Sequence, residues 1–122
     1  MNAFERGSLL FLTLVSTVSI AQQQTAMTKE ELAKAVPGST MHRTNENGKV
    51  RTWTNSADGT AIISRVPEPG SKQGVRKASG HWSISEDGRY CLTEEWSTQY
   101  GGPLDWCRHI VSASDGSLQL AQ

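Results

Sequence analysis

The chain has 122 residues, too few for two ordinary domains, and balances 12 lysines and arginines against 12 aspartates and glutamates. That balance supplies no overall field to hold nucleic acid or an anionic membrane, so electrostatic recognition must come from a local patch. Eleven glycines and four tryptophans favour short strands joined by tight turns over a helical bundle.

The N-terminus reads as an export signal. Arg6 supplies a short positive region, residues 9–15 are apolar, and Ser19-Ile20-Ala21 offers small residues where a signal peptidase cuts. Cleavage is expected after Ala21, giving residues 1–21 as signal peptide and a periplasmic or secreted protein. The apolar run is too short for the roughly 20 residues of a membrane-spanning helix, so no membrane span is expected. Residues 22–27 are polar and read as a disordered tail, and residues 28–122 as a single β-rich domain.

Thr28 three residues before Glu31 forms a capping box, and Leu32 and Val36 lie on one face of the short helix that follows, ended by Pro37-Gly38. Two helical turns do not hold themselves together in water, so this helix must lay Leu32 and Val36 on the body of the domain as a lid or plug. Turn signals then recur at Asn47-Gly48, Asp58-Gly59, Asp87-Gly88 and Asp115-Gly116, the pattern of an antiparallel meander. Strands are expected at 39–44, 49–54, 60–66, 80–85, 89–96, 105–113 and 117–120. The sheet should curl into a small barrel or sandwich. Residues 67–79 read as a loop carrying Lys72, Arg76 and Lys77.

Cys91 and Cys107 are the only cysteines, and in an exported chain an even count reads as a disulfide. With these two opposed on antiparallel strands, Tyr90 faces Arg108, Leu92 faces Trp106 and Glu94 faces Leu104. A three-residue turn at 86–88, with Gly88 left-handed, then sets Ile84 opposite Tyr90 and Trp82 opposite Leu92. This register collects the large apolar side chains on the core face and leaves the disulfide on the other.

The segments Gly80-His81-Trp82-Ser83-Ile84, Asp87-Gly88-Arg89-Tyr90-Cys91-Leu92, Glu95-Trp96 and Trp106-Cys107-Arg108 resemble a family of small secreted proteobacterial proteins, domain of unknown function 995. The resemblance implies export, the disulfide and a β fold, and no activity.

The tryptophans suggest a carbohydrate platform, but Trp82, Trp96 and Trp106 fall on the inferred core face. Glu94 and Arg108 are charges on that same face, where an ionised group needs a partner or a wet cavity. Together with Trp82, Tyr90 and Trp106 they are the candidate ligand-binding residues, for a small apolar or amphiphilic ligand held between sheet and helix. The alternative is a protein-interaction, inhibitor or envelope accessory role, with Lys72, Arg76 and Lys77 as candidate partner-binding residues. His42, His81 and His109 lack metal-site spacing, no nucleophile motif occurs, and no cofactor is implied. The expected protein is a monomeric binding module; an enzyme is disfavoured, with a hydrolase using Glu94 as the weakest of the three readings.

Overall fold

The computed structural model describes residues 25–121; the expected signal peptide, residues 1–21, and residues 22–24 of the expected tail lie outside them. A seven-residue helix, α1 (Lys29–Ala35), precedes eight strands: β1 (Thr40–Thr44), β2 (Val50–Asn55), β3 (Thr60–Val66), β4 (Arg76–Ile84), β5 (Tyr90–Glu94), β6 (Leu104–Arg108), β7 (Ile110–Ser112) and β8 (Leu118–Leu120). The first six form one antiparallel sheet in chain order, curled into a half-barrel, and β7 and β8 form a separate hairpin. β8 lies alongside β1, so the hairpin covers the opening of the curl.

The meander follows from four turns of one design. Asn45, Ser56, Ser85 and Ala113 each donate their N–H to the carbonyl four residues on, at 2.8–2.9 Å, enclosing a three-residue loop whose last residue is glycine. Those glycines, Gly48, Gly59, Gly88 and Gly116, all have φ between 81° and 93°, a conformation in which a β-carbon is strained. The register is that of the three-residue turn throughout: Ile84 opposes Tyr90, Trp82 opposes Leu92, and Tyr90, Cys91, Leu92 and Glu94 oppose Arg108, Cys107, Trp106 and Leu104. Cys91 and Cys107 are disulfide-bonded.

Two of the expected strands are drawn differently in the fold by more than a residue or two at their ends. β4 starts at Arg76, so Arg76 and Lys77 are strand residues and not part of the loop. The stretch 105–113 is two strands, broken at His109. At the end of the expected tail, Ala26 bridges to Val111 and the Met27 N–H donates to the Ile110 carbonyl at 2.8 Å.

α1 carries the capping box, with the Glu31 N–H donating to Thr28 Oγ1 at 3.1 Å and the Thr28 N–H to Glu31 Oε1 at 2.8 Å. Its Leu32 and the following Val36 are fully buried among Met41, Trp53, Ile63, Tyr90, Leu92, Trp96, Ile110 and Leu118. The helix thus plugs the end of the half-barrel where β1 begins and β2 ends, and the Gly38 N–H seals the junction by donating to the Asn55 carbonyl at 2.7 Å. Gly80 keeps β4 tight against β5: a β-carbon there would lie 2.3 Å from the Thr93 carbonyl oxygen.

Candidate functional site

At the end of the sheet away from the α1 junction, the register does something unusual with charge. Arg43 on β1 opposes Arg51 on β2, Arg51 opposes Arg65 on β3, and Arg65 opposes Arg76 on β4. Residues directly opposed across a sheet share a face, and stepping two residues along each strand reaches Met41, Trp53, Ile63 and Ala78, all part of or packed on the core. The four arginines therefore form one row along the rim of the concave face. Like charges directly opposite one another are destabilising.

Two kinds of contact hold the row in place. Arg51 reaches across the interior to Glu94, its Nη2 donating to Oε2 at 2.5 Å. Glu94 is fully buried and accepts further hydrogen bonds from the indole N–H groups of Trp96, at 2.7 Å to Oε1, and Trp106, at 2.5 Å to Oε2. Burial alone would raise the Glu94 carboxyl, but the Trp96 and Trp106 donors and the charge of Arg51 outweigh it and hold the group below the ordinary carboxylate range. Arg65 and Arg76 rest on aromatic faces instead, 3.8 Å above the Trp96 ring and 4.5 Å above the Tyr100 ring. Stacking of this kind orients a guanidinium without neutralising its charge. Burial, then the charge of Arg51, pulls Arg65 below the usual guanidinium value, with Glu94 acting in the opposite sense.

Arg51, Arg65 and Arg76 converge on a cleft of about 290 Å³, joined there by Lys49 and by an apolar wall of Val50, Val66 and Pro67; among the described residues no carboxylate side chain lines it. Among the described residues Arg43, Arg65 and Arg76 make no ion pair with an acidic side chain. Arg51 Nε is buried without a hydrogen-bond partner. Guanidinium forks positioned by aromatic faces and a buried carboxylate are suited to carboxylate or phosphate oxygens.

The expected ligand residues are brought partly together. Tyr90, Glu94 and Trp106 cluster inside the half-barrel, where they are engaged with one another and their neighbours. Tyr90 packs 5.7 Å from the Trp106 ring and donates its hydroxyl to Asn55 Oδ1 at 2.5 Å. Trp82 is half-buried and donates Nε1 to the Ser56 carbonyl at 2.8 Å. Arg108 donates Nη2 to the Ala121 carbonyl at 2.6 Å. Of the expected partner-binding residues, Arg76 lies in the arginine row, Lys77 follows it on the outer face, and Lys72 is exposed in the 67–75 connection. Reading the sequence alone missed Arg43, Arg51 and Arg65. Their signal was present in the turn spacing, since three-residue turns at 46–48 and 57–59 already align these three. Among the described residues no group of three His, Cys, Asp or Glu side chains is placed to hold a metal ion.

No curated protein and no solved structure gives a significant match. A family model described as protein of unknown function DUF995 matches residues 10–117. The match spans the capped helix, the arginine row, the buried Glu94 and the disulfide, and so the chain belongs to the DUF995 family.

Proposed function

We propose that this protein is an extracytoplasmic, non-catalytic binding module whose ligand carries oxyanions and sits in the arginine-lined cleft. The observation that carries the reading is the row itself: four directly opposed arginines, of which only Arg51 is matched by a carboxylate among the described residues. Such a row works against the sheet unless something anionic completes it. The apolar wall of Val50, Val66 and Pro67 suits a ligand with a modest non-polar face, in keeping with an amphiphilic molecule. The space between helix and sheet is packed with Leu32, Val36, Trp53 and Tyr90, which favours the rim cleft over the interior as the ligand site. The Cys91–Cys107 disulfide supports an oxidising compartment, and the leader-like N-terminus supports export.

A thermal-shift comparison tests the proposal. Citrate should raise the melting temperature of the wild type more than sodium chloride of equal ionic strength does, and Arg65→Gln should lose that increment. An increment of the same size in both proteins would be a general salt effect and would contradict the site.

A further inference from the structure

The arginine cleft does not end at Arg51. A second cleft of about 360 Å³ shares Asn45, Lys49 and Arg51 with the first and continues to Arg43. A third, of about 340 Å³, shares Arg43 and Thr44 with the second and runs on between β1 and β8 to His42 and Arg108. The three adjoin, so the cations Arg76, Arg65, Arg51, Arg43 and Arg108 succeed one another along one groove across the strands. Among the described residues, Glu46 is the single carboxylate side chain lining it. Neighbouring strands lie about 4.8 Å apart, so the backbone positions of the four arginines of the sheet span about 14 Å.

A small anion needs one such position. A groove that sets cations on four successive strands matches a linear polymer with one negative group per repeat. Building on the proposed anion site, we infer that the groove binds a linear acidic polysaccharide, a chain of hexuronate units, laid across β1 to β4. One carboxylate per sugar ring gives the chain a regular series of anionic groups, and each carboxylate can take a two-pronged contact from a guanidinium. The sugar's non-polar ring face finds Val50, Val66 and Pro67 at the Arg65 end of the groove. Single-stranded nucleic acid fits less well, because it is held by aromatic side chains that stack on bases, and among the described residues no phenylalanine, tyrosine or tryptophan lines any of the three clefts.

The test is a length series of galacturonate oligomers, from one to eight units, titrated calorimetrically into the full mature chain at low and moderate salt. Affinity should climb about tenfold or more between two units and five, then level off, as adjoining sites are engaged by one chain. Arg43→Gln should abolish the climb, and Lys77→Gln, on the opposite face of β4, should leave the whole series unchanged. Binding of short anions with no dependence on length would overturn the polymer inference while leaving the anion site standing. Failure of every anion, short or long, would overturn both. Equal affinity for fully methyl-esterified oligomers, or for a single-stranded oligonucleotide, would overturn the assignment to an acidic polysaccharide.

Discussion

Glu94 is the residue on which the rim depends. It is fully buried, yet it stays ionised because three donors from three places, Arg51 on β2, Trp96 just after β5 and Trp106 on β6, share its two oxygens. Removing one member of a buried ion pair leaves its partners uncompensated and costs about 3–5 kcal/mol. Glu94→Gln should therefore lower unfolding stability in urea by about 3 kcal/mol, since the amide can accept from only one side and turns its own N–H groups toward the indoles. The pH dependence has a defined sign. The folded-state pKa of Glu94 lies below its ordinary value of 4.5, so its stabilisation is fully present above that value and is lost as the pH falls through the folded-state pKa. Urea midpoints measured from pH 7 downward should fall more steeply for the wild type than for Glu94→Gln once the pH passes below about 4.5. Parallel curves would show that the carboxylate contributes nothing to the fold. Tyr90 is a different case. Burial first, then the nearby Glu94 charge, raises its phenol, so at neutral pH it is a neutral donor to Asn55.

Among the elements, the three-residue turn sets everything that follows. At Asn45 the side-chain Oδ1 accepts from the N–H groups of Asn47 and Lys49, at 2.9 and 3.0 Å, and fixes the β1–β2 register that brings Arg43 opposite Arg51. A two-residue turn would slip the pairing by one and send alternate residues to the wrong face. Because the arginine row is bought with like-charge repulsion, relieving it should help the empty protein: Arg43→Thr, at an exposed position, should raise the melting temperature slightly at low salt. The gain should amount to a few tenths of a kcal/mol and fade as the Debye length shortens to about 3 Å near 1 M salt. No gain at low salt would mean that the row is not under electrostatic strain. The helix cap, the hairpins, the register of β4 to β6 and the disulfide were all legible in the sequence, because each is set by local turn chemistry or by the two cysteines. Arg76 was legible as a charge but not as a member of the row. Its pairing with Arg65 spans the long 67–75 connection, where chain spacing fixes no register. Nor could spacing reveal the reach of Arg51 to Glu94, which arises from the curl of the sheet and not from adjacent strands.

For the whole molecule, a formal net charge of zero conceals an uneven distribution. One end of the half-barrel is closed by a helix and apolar packing, and the other carries the arginines. The disulfide sits on the outer face beside the Leu92–Trp106 pair, fastening β5 to β6 so that Trp106 stays on Glu94 and Glu94 on Arg51. A covalent staple on one face thus supports the geometry of a charged rim on the other, which is useful in a small domain whose core alone gives limited stability. The most direct measurement of the central claim is a nuclear magnetic resonance titration that follows the arginine Nε–Hε signals as digalacturonate is added. The account predicts that Arg51, Arg65 and Arg76 shift together along one binding curve while Arg89, paired with Asp87 at 2.9 Å outside this cleft, stays in place. Signals that do not move, or a uniform drift of all arginines including Arg89, would contradict it.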